Sequence, residues 1–245
     1  MSVSTQGIVL RQNKIMGDRR MLTVFTEKAG KVSVSVNGGR SAGRSKSSLA
    51  YRPFTLGSYD LYGRGEVYSM GRAEVVKAWY GIGEDIDRYM QGSFLLEFTD
   101  KLLEEGAPAP GLFSLLRDFF DVLEQRTKEH SFLALAYQLK AIKMMGVMPE
   151  VDSCVICGKK AGNYMFHVEA GGAVCPDCAQ YNRLIYRNDS DIITKIKYIV
   201  RTPVKDLGKI YLEEAALEEV SSLVRAYTTC HLDISKLKSE SIIKD

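Results

Sequence analysis

The sequence predicts an α+β chain of several domains, with a small N-terminal β-barrel, a helical region and an inserted four-cysteine module. Three observations support this fold class. Apolar and polar residues alternate in the first 80 residues, apolar residues recur at helical spacing beyond them, and two C-x2-C pairs lie within 25 residues. We expect a barrel at 1–80, a cysteine module at 151–181, and a helical domain split into 81–150 and 182–245.

The N-terminal segment shows the period of two that is typical of half-buried strands. In "KVSVSVNGG", Val32, Val34 and Val36 fall on one face and the intervening serines on the other. Similar segments separated by glycine-rich turns bring the expected number of strands to five. Such a set favours an OB-fold barrel, with an SH3-like barrel as the competing interpretation.

Helical spacing replaces this alternation after Trp79. Three amphipathic segments are expected between residues 84 and 146, where the prolines of "APAP" and Pro149 mark helix ends. Asp85 and Asp87 lie near the first helix start, where capping accounts for them. Two more helices are expected in "DIITKIKYIVR" and "EEAALEEVSSLVRAYTTCHL".

The cysteine pattern is the most specific signal in the chain. The segment "CVICGKKAGNYMFHVEAGGAVCPDC" has two C-x2-C pairs separated by 17 residues. Two tight turns of this kind present four thiolates tetrahedrally to one Zn²⁺, and a closed four-sulfur site leaves no position for a catalytic water. We therefore expect one structural zinc per chain in a zinc ribbon or knuckle. Its ligands would be Cys154, Cys157, Cys175 and Cys178.

Other roles for these residues remain open. Redox chemistry at a C-x2-C pair is an alternative, although no βαβ frame surrounds either pair. His167 falls between the pairs and is expected to be an ordinary hairpin residue. Cys230 lies beside apolar residues of a predicted helix and is expected in the core.

Charge is distributed unevenly along the chain. Residues 1–80 hold 13 Lys or Arg and 5 Asp or Glu, a net charge of +8, whereas the remaining residues hold 20 and 25, a net charge of −5. A basic first third indicates a polyanionic partner, although loops rich in Lys and Arg would give the same balance. The expected DNA-binding residues are Arg11, Lys14, Arg19, Arg20, Lys31, Arg40, Arg44, Lys46 and Arg52.

Aromatic residues are interleaved with these cations. A basic groove with aromatic stacking surfaces is how an OB-fold holds single-stranded nucleic acid. The alternative is that the rings fill the barrel interior. The residues concerned are Phe25, Tyr51, Phe54, Tyr59, Tyr62 and Tyr68.

The loop "VNGGRSAGRSKSS" at residues 36–48 approaches the phosphate-loop pattern of NTPases. Arg44 stands where that pattern needs lysine, and the run to Pro53 is too short for the helix that must follow. The glycines instead indicate a mobile cationic loop that contacts nucleic-acid phosphates. No other catalytic motif is present.

Targeting signals are not evident. No apolar run reaches the roughly 20 residues that cross a bilayer, and the N-terminus lacks the charged and apolar regions of a signal peptide. We therefore expect a cytoplasmic protein.

The whole chain resembles the RecO family of bacterial recombination mediators. The resemblance lies in a basic OB-like barrel followed by helices and the cysteine module, in the Thr26 and Gly30 pair, in a "G-x-R…S" loop, in the "PF" that starts the next strand, and in "GVMPEVDSCVICG". Asp18 departs from the glutamate that is frequent in the family, but keeps its charge. Some family members lack the cysteines, whereas this chain has all four.

The resemblance implies a function. RecO-like proteins bind single- and double-stranded DNA, anneal complementary strands and, with the partner RecR, help load RecA onto single strands coated by the single-stranded-DNA-binding protein SSB. They are not enzymes, and the resemblance therefore implies a non-enzymatic, nucleoid-associated protein. The SSB C-terminal tail docks on the helical domain of some members. The competing interpretations are an RNA-binding or ribosome-associated protein with the same two modules, and an enzyme stabilised by zinc whose site has no recognisable motif.

Overall fold

A computed structural model gives the fold. It describes residues 2–14, 19–37, 46–64, 67–126, 130–160, 164–180, 190–235 and 237–239. The side chains of Lys14, Asn37, Lys46, Ser47, Ser48, Arg64 and Ser190 are also outside the description.

Five strands form a sheet that closes on itself. They are β1 (Ser2–Lys14), β2 (Arg19–Thr26), β3 (Gly30–Asn37), β4 (Thr55–Arg64) and β5 (Val67–Ala78). The order around the ring is β1-β2-β3-β5-β4, with β4 returning to β1. All neighbours are antiparallel except β3 and β5, which are parallel. A 3₁₀ helix (Lys46–Tyr51) precedes β4. The predicted five-stranded sheet is thus confirmed.

The alternation in β3 decides which residues fill the ring. Val32, Val34 and Val36 are buried, whereas Ser33 and Ser35 are half-buried on the other face. Since side chains of a strand alternate between faces, the valines join the core of the ring. The same core contains Leu22 and Val24 of β2 and Tyr59 and Leu61 of β4.

The turn between β2 and β3 explains the Thr26 and Gly30 pair. Thr26 Oγ1 accepts from the backbone N–H of Ala29 at 3.0 Å and donates to the Gly30 carbonyl at 2.9 Å. Gly30 has a φ of 69°, and a Cβ there would lie 2.2 Å from the carbonyl oxygen of Ala107. Only glycine meets both conditions, because other residues are strained at this φ and would clash.

Helices follow the sheet, as the apolar spacing predicts. The first four are α1 (Tyr80–Gly83), α2 (Ile86–Leu102), α3 (Pro110–Gln125) and α4 (His130–Met144). The later ones are α5 (Pro176–Ala179), α6 (Ser190–Arg201), α7 (Val204–Leu207) and α8 (Glu214–Leu232). A hairpin of β6 (Met165–His167) and β7 (Gly172–Val174) lies between the two cysteine pairs. None of the helices that the structure describes is long and apolar enough to cross a lipid bilayer.

Contacts divide the chain into two compact units. One contains residues Met1–His130 and Leu237–Asp245, and the other contains Ser131–Lys236. The first three helices therefore group with the sheet, where Phe113 of α3 packs edge-on against Phe25 of β2 with ring centroids 5.3 Å apart. These units differ from the four segments expected from the sequence, which stay predictions as domains.

Candidate metal centre and nucleic-acid interface

The first cysteine pair lies on a tight turn. The Gly158 N–H donates to the Cys154 carbonyl at 2.8 Å, and the Cys154 N–H donates to the Lys159 carbonyl at 3.1 Å. Gly158 adopts a φ of 72°, which the turn needs in order to reverse after Cys157. The turn thereby brings Cys154 and Cys157 to the same side of the backbone.

The second pair lies at the beginning of α5. Cys175 is the residue before the helix, Pro176 is its first residue, and the Ala179 N–H closes the turn on the Cys175 carbonyl at 3.0 Å. Proline suits this position because its missing N–H has no partner in the first turn. Cys178 then follows Cys175 by nearly one helical turn, which directs both thiols the same way.

The hairpin and one ion pair hold the two turns together. The Val155 N–H donates to the Ala173 carbonyl of β7 at 2.9 Å. Lys159 Nζ lies 3.0 Å from Asp177 Oδ2, which joins the residue after the first turn to α5. Two segments separated by 17 residues in sequence are therefore fixed side by side.

The four sulfurs meet in a geometry that suits zinc. All four Sγ atoms lie within 4.8 Å of one another, and Cys157 Sγ is 3.7 Å from Cys175 Sγ. A tetrahedral Zn²⁺ with Zn–S bonds of about 2.3 Å separates its sulfurs by about 3.8 Å. This Sγ–Sγ separation is far longer than the ~2.05 Å of a disulfide, and none of the four cysteines forms a disulfide. The expected ligand set is thus brought together, and its donor chemistry fits one zinc.

The backbone around Cys154 favours a thiolate. Burial raises the pKa of this thiol, but the backbone N–H groups of Cys175, Cys157 and Ile156 outweigh burial and lower it to about 6. Hydrogen bonding with the Cys157 side chain, together with burial, raises the pKa of Cys178. Zinc requires deprotonated sulfur, so a first thiolate ligand is available at neutral pH.

The remaining cysteine and the histidine of this region stay outside the cluster. His167 is buried in β6 and accepts from the Ala170 N–H at Nδ1, 3.3 Å away, as a hairpin residue does. Cys230 is exposed on α8, so the expectation that it lies in the core is wrong. The helical face that carries Cys230 is directed to solvent rather than to the apolar interior.

A second group of possible ligands has a structural explanation. Asp85, Asp87 and His130 lie close together, but Asp85 accepts from the Arg88 N–H at 2.9 Å as the N-cap of α2. This bond lowers the pKa of Asp85, and His130 Nε2 lies 3.0 Å from the Arg126 carbonyl. Capping therefore accounts for Asp85, as the sequence predicted.

Four of the nine expected DNA-binding cations are exposed on the sheet unit. Arg11 lies on β1, Arg19 and Arg20 begin β2, and Arg52 follows the 3₁₀ helix. Arg11 also lies 3.7 Å from Asp100, although 57% of its side chain stays exposed. Arg40, Arg44 and the side chains of Lys14 and Lys46 lie outside the described residues.

Lys31 is not available for a nucleic acid. Its side chain is only 11% exposed, its Nζ lies 3.5 Å from the Asp100 carboxylate, and it donates to the Asp100 carbonyl at 2.6 Å. The ammonium is thus used within the protein to join β3 to α2. We correct its predicted DNA-binding role to this structural one.

The aromatic residues divide between core and surface. Phe25, Phe54 and Tyr59 are buried, as the alternative interpretation expected. Tyr62 is 54% exposed, and Tyr51 and Tyr68 are half-buried. Of the six aromatic residues expected as stacking surfaces, these last three offer ring surface to a ligand in the described part of the chain.

A polar cavity of about 370 Å³ lies beside Arg19. It is lined by Arg19, Ser35, Val36, Tyr51, Ser69, Met70 and Gly71. The parallel pairing of β3 with β5 places Ser35 opposite Ser69, so hydroxyls, a phenol and a guanidinium converge. Such groups donate to phosphate oxygens. The sequence shows the polar face of β3, but the pairing that creates the cavity joins residues too far apart to be predicted.

Comparison with known proteins found family models that match nearly the whole chain. Family models described as Recombination protein O N terminal and Recombination protein O C terminal match residues 1–79 and 83–241. The chain belongs to the RecO family. It is similar to the DNA repair protein RecO of Caldanaerobacter subterraneus subsp. tengcongensis, with 29% identity over 95% of this chain and 94% of that protein.

Two further relatives extend this similarity. The DNA repair protein RecO of Thermoanaerobacter sp. (strain X514) is 29% identical over 99% of this chain and 97% of its own length. That of Bacillus velezensis is 26% identical over 93% of this chain and 88% of its own. Membership in the RecO family supports a function in DNA repair and recombination.

Proposed function

We propose that this RecO-family chain is a non-enzymatic, DNA-binding recombination mediator. The observation that supports this most directly is the exposed Arg19, which lines a polar cavity with two serines and Tyr51 on the closed sheet. Guanidinium and hydroxyl groups bind phosphates without reading sequence. The basic first third of the chain gives such binding a favourable field.

The closed sheet suits an OB-fold barrel. Its strand order, with the parallel pairing of β3 and β5, fits a five-stranded Greek-key barrel, which binds oligonucleotides on its strand 2 and strand 3 face. Arg19 and Arg20 lie on β2, and Ser35 lies on β3. The DNA would therefore cross the ring near the beginning of β2.

The cysteine cluster would hold one structural Zn²⁺ in a zinc ribbon. Cys154, Cys157, Cys175 and Cys178 would be its ligands, and zinc would cross-link the two turns that carry them. A closed four-thiolate set supports stability rather than catalysis. This agrees with a protein that has no enzymatic activity.

Annealing follows from sequence-independent contacts with phosphates. Two DNA strands repel each other, and a cationic face reduces that repulsion while leaving base edges free to pair. In the proposed pathway, RecR joins the protein, the SSB C-terminal tail recruits it, and RecA is loaded onto the single strand. Such a function requires access to the chromosome, so we place it in the cytoplasm at the nucleoid.

An annealing assay tests this proposal. Complementary DNA strands coated with SSB are mixed with the protein in the absence of ATP, and duplex formation is followed over time. We expect faster annealing than in the protein-free control. Annealing at the control rate, together with much tighter binding of RNA than of DNA, would replace the proposal by an RNA-binding function.

A further inference from the structure

A second cavity lies on the same unit and differs in chemistry from the first. It has a volume of about 220 Å³ and lies where the 3₁₀ helix, the end of β5 and α1 meet. Aromatic and small apolar side chains form most of its wall. The lining is Leu49, Arg52, Pro53, Phe54, Thr55, Ala78, Trp79, Tyr80, Gly83 and Tyr89.

The backbone at this cavity is held in an uncommon conformation. Phe54 has a φ of 57°, which is rare for a residue with an aromatic side chain. Its carbonyl accepts from the Trp79 N–H at 3.0 Å, and its ring packs edge-on against Tyr89 and Phe120. Such strain persists only where the surrounding contacts impose it, and it is concentrated at binding sites. The packing contacts of the fold therefore impose the backbone conformation that shapes this cavity.

Two tyrosines of the lining remain largely in contact with solvent. Tyr80 is 61% exposed and Tyr89 is 45% exposed. Exposed rings beside an apolar cavity offer flat surfaces on which another ring can stack. A volume below the roughly 300 Å³ of drug-sized pockets suits a single ring system.

Charge determines which ring system fits. Arg52 is exposed on the lining, and among the described residues no carboxylate forms an ion pair with it. The mostly apolar lining favours a neutral group in the cavity itself, while Arg52 favours an adjoining anion. A base joined to its phosphate has this combination.

We propose that this cavity receives one unstacked base of bound single-stranded DNA, stacked against Tyr80 or Tyr89, with Arg52 on the neighbouring phosphate. The inference rests on the proposed DNA-binding function and adds a base-recognition site to it. Stacking on an aromatic side chain does not depend on base identity, because every base has a π face. The site would hold single strands in preference to duplex, whose bases are stacked already.

The test compares two labelled oligonucleotides of equal length by fluorescence anisotropy. One is oligo-dT and the other carries abasic tetrahydrofuran sites throughout, so both have the same phosphates but only the first has bases. We expect the wild type to bind oligo-dT more tightly. In Tyr80→Ala/Tyr89→Ala, affinity for oligo-dT should fall on the order of 10-fold while affinity for the abasic strand is unchanged. Phenylalanine at both positions should preserve the preference.

Controls separate this inference from the proposed function. Tyr198→Ala removes an equally exposed tyrosine on α6, 56% exposed, and should change neither affinity. Tyr80→Ala alone keeps the Tyr89 ring that packs on Phe54, and it should lower the affinity for oligo-dT without changing the affinity for the abasic strand. If the double variant binds both strands as the wild type does, or weakens both equally, the base site is refuted and DNA binding stands. If the wild type binds neither strand, the proposed function itself fails.

Discussion

Lys31 of β3 and Asp100 of α2 are joined twice, by a 3.5 Å ion pair and by a 2.6 Å hydrogen bond from the ammonium to the Asp100 carbonyl. Their side chains are only 11% and 14% exposed. Arg11 approaches the same carboxylate at 3.7 Å. Asp100 therefore neutralises two cations of the sheet from one helix, and holds α2 against β1 and β3.

Removing the Asp100 charge should destabilise the protein. Asp100→Asn leaves the Lys31 ammonium largely buried without its counter-charge, and we expect a loss of about 3 kcal/mol in the free energy of unfolding. Urea denaturation followed by circular dichroism measures the loss. Glu74→Gln is the matched control, since its pair with Arg72 is exposed and should contribute less than about 1 kcal/mol. Equal effects of the two variants would contradict this role for Asp100.

The residues that sequence placed correctly are those whose partners lie nearby in the chain. The cysteine cluster depends on two local turns and a short hairpin, so spacing alone predicted its four members. The alternation of β3 and the cap at Asp85 are likewise local. Lys31 was wrongly assigned to DNA binding because its partner, Asp100, is 69 residues away in the sequence. Helical spacing does not show which strand a helix covers.

The two cavities could not be predicted either, because their lining residues are distant from one another in the sequence. Ser35 and Ser69 meet only through the parallel pairing of β3 with β5, and Phe54 meets Tyr89 only after α2 packs on the sheet. The aromatic residues interleaved with the cations predicted stacking surfaces in general, but the burial of each ring decides whether a base can stack on it. Phe25 and Tyr59 are buried in the core. The exposed Tyr80 and Tyr89 were not among the aromatic residues expected to stack on bases.

Metal analysis should find about one zinc per chain, because four thiolates complete one tetrahedral site. Cys154→Ser should lose the metal and lower the thermal stability of the protein. Cys230→Ser, at an exposed position of α8, should retain the zinc and the thermal stability of the wild type. The measurements are elemental analysis and calorimetry on freshly purified, reduced protein. Wild-type protein without zinc would refute the metal site, and so would full zinc content in Cys154→Ser.

Exposed arginines on the sheet should contribute one phosphate contact each. Arg19→Ala/Arg20→Ala should weaken single-stranded DNA binding and reduce the slope of log K against log salt by up to about 2. Arg72→Ala is the control, because Glu74 already neutralises that exposed arginine of β5. Lys31→Met should also leave the slope unchanged, since its ammonium is bound by Asp100. Titrations at several salt concentrations measure these slopes, and a slope unaffected in the double arginine variant would place the DNA elsewhere.

Glu97 of α2 should make the attachment of the C-terminal segment dependent on pH. Burial raises the pKa of this carboxyl, but the N–H groups of Ser239 and Lys238 and the Ser239 hydroxyl outweigh burial and lower it. A carboxyl with a lowered pKa stabilises the folded state above its ordinary value of about 4.3, and that contribution is lost as the pH falls through the folded pKa.

We therefore expect residues 237–239 to be protected from amide exchange at pH 7 and to lose protection as the pH falls through the lowered pKa of Glu97. Glu97→Gln should show weak protection at neutral and at acidic pH alike, because a neutral amide accepts less strongly from two N–H groups. Ser239→Ala is the control: it removes one hydroxyl but keeps both backbone bonds, so most of the pH dependence should survive. Hydrogen exchange with mass spectrometry measures protection of this segment. The role of Glu97 would be contradicted by protection in Glu97→Gln that follows the wild-type pH profile.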